Sequence, residues 1–376
     1  PNEAVRKLIT QIHNPLVKED IKFFDWLRGA QTQNVPWSFI PCIERLAQAI
    51  IPQHKLITYC AHYYNYGISW SQSERLAPYP YTVLSLPRLH RTNVLWHTLI
   101  GHELFHPRCA EFINQHNQDV LGEIARQLGS SDELFKDLDE EGLDQLTKPI
   151  HIAWRRAMEE LLCDMACAEL FGPAAILATM AFAACSPIKE MPSPENNFYP
   201  PRLFRFEVVW NNSIDLKKLA TIYTKCQKSE ATNYFKKVME SFAKRVSLSK
   251  GAALLKKHPL SKIAYEQVQR LLPEANKFVK TILPDTVCRW NSDKVLNQIP
   301  KLLERLDKGI PPNERILEID ETAEKQKYES ESAELPAILI AGWIYETYWQ
   351  NKYAPNGEIM PYDTMSRLLL KACDDI

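Results

Sequence analysis

The sequence has no apolar run long enough to cross a membrane, no strong excess of charge and no regular cysteine spacing. Its longest apolar run, Gly172 to Cys185, falls short of the ~20 residues that a spanning helix needs and predicts a buried core helix. A formal net charge of -1 argues against a nucleic-acid surface spread over the whole protein. The nine scattered cysteines favour reduced thiols, and the charged N-terminal stretch shows no signal-peptide pattern, so we expect a cytoplasmic protein.

Several catalytic signatures are also missing. The chain has no glycine-rich phosphate loop, no nucleophile elbow, no local signature of a cysteine protease and no internal repeat. At 376 residues and 45% apolar composition it can still bury a substantial core, in two domains or one elaborated domain. Its chemistry must therefore come from another kind of motif.

One such motif is present between Leu99 and His106, where the residues read LIGHELFH. On a helix, positions four apart share a face, so His102 and His106 can offer two imidazole nitrogens to one metal ion. Glu103 lies beside that face, where it can accept a proton from a metal-bound water. The competing interpretation is two ordinary histidines on a packed helix.

A second helix downstream, ending at Gly172, carries Glu160 and Asp164 four residues apart on one face. Two carboxylates on an apolar helix are expensive to bury unless a positive charge faces them, and a zinc ion with its histidine ligands would meet that need. Cys163 and Cys167 are also four apart, but small apolar packing explains them better than metal binding.

Together these residues resemble the gluzincin class of zinc metallopeptidases, in which HExxH is followed by a helix bearing Glu-x-x-x-Asp. The resemblance spans about residues 80 to 205. It implies a Zn²⁺ cofactor held by His102, His106 and Glu160, with Asp164 orienting a ligand histidine through its other ring nitrogen. Glu159 competes as third ligand, but only Glu160 has an aspartate four residues later.

Peptide hydrolysis also needs a donor for the oxyanion of the tetrahedral intermediate. Candidates are Tyr199, Arg202 and Arg205, in a proline-rigidified stretch after the core, and His151 ahead of the second helix. The competing interpretation of that stretch, an ordinary turn with surface arginines, is the one that its sequence favours.

The expected fold is α+β and predominantly α-helical: a zincin-like catalytic core with a small sheet before the active-site helix, and a helical C-terminal region. Strands are predicted at 55–66 and 81–86, and the sheet should offer an edge strand that holds substrate in extended form. Pro107 is expected to end or kink the HExxH helix, or to open a new one. An acidic surface helix is predicted at 131–147, and irregular or charged segments at 186–201 and 311–334.

Three regions follow from this layout: an N-terminal helical segment (1–54), the metallopeptidase core (55–210) and a helical substrate- or partner-binding region (211–376).

The function predicted is a soluble zinc-dependent endopeptidase acting on a protein or peptide, with a possible regulatory protein partner at the C-terminal region and neither nucleic acid nor membrane as a partner. A role in stress response or phage defence would suit such a protease. There are two alternatives. One is a non-catalytic interaction protein with a structural zinc site, in which Cys109 or Cys163 would be the fourth ligand and close the coordination shell. The other is a zinc hydrolase that acts on a non-peptide amide.

Overall fold

The chain folds as a mainly helical protein with one small three-stranded sheet, which confirms the predicted α+β class. The computed structural model describes residues 36–61, 66–71, 80–130, 139–183, 200–248, 259–313, 333–352 and 362–374. The strands are β1 (Lys55–Ala61), β2 (Gly67–Ser71) and β3 (Tyr81–Pro87). The helices are α1 (Ile40–Ile50), α2 (Ile100–Ser130), α3 (Glu140–Phe171), α4 (Pro173–Ala183), α5 (Arg202–Ser213), α6 (Leu216–Lys225), α7 (Glu230–Leu248), α8 (Pro259–Ile282), α9 (Asp293–Asp307), α10 (Leu335–Lys352) and α11 (Tyr362–Asp374).

The strand nearest the HExxH helix in sequence, β3, lies at the centre of the sheet. It pairs parallel to β1 and antiparallel to β2, so the strand that directly precedes the helix is not an edge strand. Sequence inspection missed β2 because its five residues, GISWS, include a glycine and two serines instead of a β-branched run. Within the described part of the sheet, the edges are β1 and β2.

Helix α2 continues through Pro107, so the expectations that it ends at the second histidine or that Pro107 opens a new helix are wrong. Proline at this position removes the amide that would bond to the carbonyl of Glu103, which costs ~3 kcal/mol in a helix interior. Burial of Leu104, Phe105 and Phe112 on either side of the proline offsets that cost. One 31-residue helix therefore carries both histidines.

Helices α2 and α3 pack antiparallel, with the start of α2 against the end of α3. At Gly101 the two helices lie so close that an added Cβ would lie 2.8 Å from the ring of Phe171. This glycine directly precedes His102, so its small size lets the first histidine approach the carboxylates of α3. The part of the predicted acidic helix that the structure describes, from residue 139 onward, belongs to the first turns of α3 and is continuous with the helix that carries Glu160.

Among the described residues, one apolar cluster includes members from Phe39 to Cys373, on both sides of the predicted boundary at 210. The predicted core helix after Gly172 is confirmed as α4, and in the C-terminal region, predicted to be helical, the apolar helix α10 packs into the core. Among the described helices, none is long and apolar enough to cross a membrane. The predicted segment 186–201, apart from its last two residues, and most of 311–334 lie outside the described residues.

Replacing Gly172 with alanine should lower the free energy of unfolding by about 2–3 kcal/mol. Gly172 separates α3 from α4 with φ +55° and ψ -126°, and an added Cβ would lie 2.3 Å from the Trp290 indole. Backbone strain and overpacking both contribute to this cost. Urea denaturation of Gly172→Ala measures it. Gly122→Ala, inside α2 with nothing within 4 Å of the new Cβ, should be neutral or slightly stabilising, and an equal loss in both variants would contradict this account.

Candidate metal centre

The two histidines of α2 are each held by a carboxylate from α3. The Nδ1–H of His102 donates to Asp164 Oδ1 at 2.9 Å, and the Nδ1–H of His106 donates to Glu159 Oε1 at 2.9 Å. The two rings lie 5.0 Å apart in an edge-to-face arrangement. With the proton fixed on Nδ1, each ring presents its Nε2 lone pair as the metal-binding atom, as in carboxylate–histidine–metal arrangements.

A cysteine joins the histidine pair. His102, His106 and Cys163 bring one ligand atom each within 4.8 Å of one another, a group that could hold a metal ion. Cys163 is fully buried between α2 and α3, and its Sγ lies 3.5 Å from the Sγ of Cys109. Burial raises the pKa of the Cys163 thiol well above its usual range. A bound cation would have to supply the energy to ionise it.

Glu160 also lies close to His102. Its Oε2 lies 3.6 Å from His102 Nε2, near the separation of about 3.4 Å that two ligands of one tetrahedral zinc would have. The same oxygen forms an ion pair with Arg205 Nη1 at 2.9 Å. Arg205 also binds both oxygens of Asp164, at 2.6 and 2.8 Å. The positive partner expected for these two carboxylates is therefore supplied at least in part by the protein itself.

The two histidines, their carboxylate partners and Arg205 line a cavity of about 480 Å³, whereas Cys163 does not. Among the described residues that line it are four carboxylates and two guanidinium groups, a formal excess of two negative charges that a divalent cation would neutralise. The apolar part of the lining comes mainly from α4 and α5, together with Ile68 of β2 and Leu99 just before α2. The ionisable side chains of the site in this lining are His102, Glu103, His106, Glu159, Glu160, Asp164, Arg202 and Arg205.

The electrostatics of the site keep Asp164 ionised. Burial alone would raise the pKa of Asp164, but the charge of Arg205 and the hydrogen bonds that Asp164 accepts from Arg205 and His102 hold that pKa well below its usual range. Burial alone would likewise lower the pKa of His102, yet Asp164, Glu160 and Glu103 together raise it. The site thus selects positive charge, whether a proton on His102 or a metal ion.

The predicted oxyanion donors end up in different places. Arg202 lines the cavity and donates from Nη1 to the Ala183 carbonyl at 2.9 Å. His151 does not line it: it precedes Glu160 on α3 by nine residues, about 13 Å of helix, and its ring stacks on Trp154 at 5.4 Å. Tyr199 lies outside the described residues.

Two functional contacts escaped the sequence reasoning. Glu159, considered only as a rival ligand, is instead the partner of His106 Nδ1. Arg205, considered only as an oxyanion donor, is the charge partner of Glu160 and Asp164. The i, i+3 spacing of Arg202 and Arg205 was an available signal, since it places both side chains on one helix face.

Acidification should destabilise the metal-free protein through His97. This ring is fully buried, accepts from the Tyr66 hydroxyl at Nδ1 and donates from Nε2 to the Arg91 carbonyl. Burial lowers the pKa of His97 to about 4. As pH falls below the ordinary histidine pKa of about 6.5, the unfolded chain takes up a proton that the folded chain refuses, and stability is lost progressively until pH reaches the folded pKa.

The expected loss from this group between pH 7 and pH 5 is about 2 kcal/mol. Urea denaturation of chelator-treated protein at the two pH values measures it, with His97→Gln as comparison. The variant's overall stability can differ, but its pH dependence should be smaller by that amount. Identical pH slopes in the two proteins would contradict the assignment to His97.

A comparison of the chain with protein-family models, curated proteins and solved structures finds no match.

Proposed function

We propose that this protein is a zinc-dependent peptidase whose metal ion is held by His102, His106 and Glu160. The observation that carries the proposal is the paired histidine–carboxylate arrangement, in which Asp164 and Glu159 fix the two rings with Nε2 as the ligand atom. Zinc suits nitrogen and carboxylate ligands, and two histidines with one glutamate leave a fourth position open for water or substrate. An open position of this kind is the property of a catalytic site.

The position of Glu160 favours it over Cys163 as third ligand. Glu160 lines the cavity together with both histidines and Glu103, whereas Cys163 is absent from the lining and lies fully buried behind it. A metal ion drawn toward Glu160 would face a space that substrate can enter. A metal ion drawn toward Cys163 would be enclosed between two helices.

Glu103 is the residue placed to move protons. When bound, zinc would polarise the scissile carbonyl and the attacking water. The Glu103 carboxylate takes one proton from the water as the carbon–oxygen bond forms, and delivers it to the leaving nitrogen as the carbon–nitrogen bond breaks. Arg202, which also lines the cavity, is the remaining described candidate to stabilise the oxyanion besides the ion-paired Arg205.

The surroundings of the cavity support an extended peptide as substrate. Gly67 and Ile68 of the edge strand β2 belong to its lining, so main-chain groups of the sheet border the site. On the other side, Ile176, Phe182 and Phe206 form an apolar wall against which a substrate side chain could pack. A smaller amide would leave most of this surface unused.

The test combines zinc content with product detection. Purified protein, chelator-stripped protein and zinc-restored protein are incubated with a whole-cell lysate, and new N-termini are identified by terminal-amine mass spectrometry. We expect one zinc per chain and the same new N-termini from native and restored protein only. A zinc-loaded protein that yields no new N-termini would argue against the proposal.

A second candidate function, a structural zinc in a non-catalytic protein, is favoured by one observation: Cys163 forms a metal-competent group with the histidines, and Cys109 lies beside it. Four such ligands would close the coordination shell. This function predicts metal binding without hydrolysis.

Exchange of one ligand candidate at a time separates the two sites. In the catalytic arrangement, Glu160→Gln should weaken zinc binding more than about 100-fold, beyond the effect usual for residues that only support a ligand, and Cys163→Ser should weaken it only slightly. Competition with a chromophoric chelator measures both affinities. Cobalt-substituted protein supplies a further readout, because a thiolate ligand gives a charge-transfer band that Cys163→Ser would abolish. The reverse order of effects would favour the structural site.

A further inference from the structure

A pair of buried cysteines joins the first and last α-helices of the described chain. Cys42 lies in the first turn of α1, and Cys373 lies near the end of α11, 331 residues later in the sequence. The Sγ of Cys42 lies 3.8 Å from the main-chain oxygen of Cys373, and the Cys373 thiol hydrogen-bonds to the Cys42 sulfur. The two residues are 5% and 1% exposed, and both are free thiols.

The surroundings of Cys42 favour its ionised form. Cys42 is the third residue of α1, and the first turn of a helix carries unpaired N–H groups that stabilise a negative charge. The hydrogen bond from Cys373 and the positive charge of Arg45, one turn later, lower the pKa of Cys42 although burial opposes them. Of the eight described cysteines, the other seven all have raised pKa values. Since the thiolate is the nucleophile, Cys42 is the described cysteine best placed to react.

A second cavity, of about 450 Å³, gives a small molecule access to Cys42. Cys42 and Arg45 belong to its lining, together with residues from the end of α3, the turn after α8 and the start of α10. Hydrogen peroxide, with two oxygen atoms, needs only a small part of this space. The second cavity shares none of its described lining residues with the metal cavity. Chemistry at Cys42 is therefore separate from the metal site.

We propose that Cys42 and Cys373 form a redox-active pair that hydrogen peroxide converts to a disulfide between α1 and α11. The Cys42 thiolate attacks one peroxide oxygen, the O–O bond breaks, and the leaving hydroxide takes up the proton that Cys42 released and becomes water. The Cys373 sulfur then attacks the sulfur of the Cys42 sulfenic acid. The S–S bond forms, the S–O bond breaks, and hydroxide leaves with the Cys373 proton as a second water. The two thiols lose two electrons in all, and the peroxide gains them.

A second close pair of cysteines serves as an internal comparison. The Sγ atoms of Cys109 and Cys163 lie 3.5 Å apart, but burial raises the pKa of both thiols. Neither residue belongs to the described lining of the metal cavity or of the second cavity. If proximity alone decided reactivity, the first disulfide would form in this pair. If ionisation and access decide it, the first disulfide links Cys42 to Cys373.

The test treats the full chain with hydrogen peroxide under native conditions. The remaining thiols are alkylated after unfolding, and disulfide-linked peptides are identified by mass spectrometry. The wild-type protein should lose two alkylatable thiols, yield a peptide pair that joins Cys42 to Cys373, and recover both thiols with dithiothreitol. A first disulfide between Cys109 and Cys163, or the absence of any intramolecular disulfide, would overturn the proposal.

Variants separate the roles of the two cysteines. Cys373→Ser should stop the reaction at the sulfenic acid, so that dimedone labels Cys42, whereas Cys42→Ser and Cys42→Ala should both leave Cys373 reduced. Cys226→Ser, which alters a buried cysteine whose pKa is raised to about 11, should leave the cross-link unchanged. Absence of dimedone label in Cys373→Ser would contradict the attack by Cys42.

Urea denaturation gives a further readout. The disulfide closes a very long loop of the unfolded chain, so oxidation should raise the unfolding midpoint of the wild-type protein and not that of Cys373→Ser. An equal shift in the two proteins would contradict the cross-link. No readout in this series requires zinc or peptide hydrolysis, so this proposal can fail while the peptidase proposal stands, and the reverse.

Discussion

Glu103→Gln should retain zinc and lose peptide hydrolysis by about 10²–10⁴-fold in kcat/KM, the range that general acid–base groups contribute. The glutamine amide keeps the size of the glutamate side chain but cannot accept the proton of the attacking water. Glu103 lies in the cavity beside both histidines but is not one of the three proposed ligands, so the metal site should stay intact. The measurement is turnover of a peptide derived from the first cleavage site found in the lysate, with zinc content determined on the same samples.

The matched control is Glu111→Gln on the same helix. Glu111 is half exposed, pairs with Arg108 on the surface and does not line the cavity, so its loss should leave turnover within a factor of two or so. Full activity of zinc-loaded Glu103→Gln would show that Glu103 is not the general base. Loss of zinc along with activity would show instead that Glu103 supports the metal.

The parts of the site that sequence could predict are those set by helical spacing. His102 and His106 are four apart, as are Glu160 and Asp164, and a helix puts each pair on one face whatever the rest of the chain does. The structure brings these four side chains together through one antiparallel helix pair. Local periodicity and burial were sufficient for this step, and they were also sufficient for the core helix α4.

The parts that sequence could not predict depend on contacts between distant segments. Arg205 reaches Asp164 from a separate helix, 41 residues away, and nothing in its neighbourhood specifies that partner. The order of the sheet likewise depends on β2, a short strand with weak β propensity that places β3 at the centre. The prediction that α2 ends at the second histidine failed for a similar reason. Proline has a real free-energy cost inside a helix, but the packing of α2 against α3 outweighs it. Tertiary contacts decided all three cases.

The most severe loss of stability is expected from Arg205→Met. In the wild-type protein the guanidinium holds Asp164 by two bonds and Glu160 by a third, and these carboxylates are only 8% and 12% exposed. Removing the cation leaves two buried negative charges without their partner, which should lower the free energy of unfolding of the metal-free protein by about 3–5 kcal/mol. Arg202→Met, three residues earlier, removes a bond to a carbonyl and should cost about 1 kcal/mol.

The same variant also tests how zinc binds at Glu160. Because Arg205 competes for the same oxygen of Glu160 that lies nearest His102, its removal frees that oxygen for a metal ion. Zinc should therefore raise the free energy of unfolding of Arg205→Met by more than it raises that of the wild-type protein, as binding to the folded state alone requires. Urea denaturation with and without zinc measures all four values. If zinc stabilised the two proteins equally, Glu160 would not be exchanging one positive partner for another, and the case for Glu160 as the third ligand would fall with it.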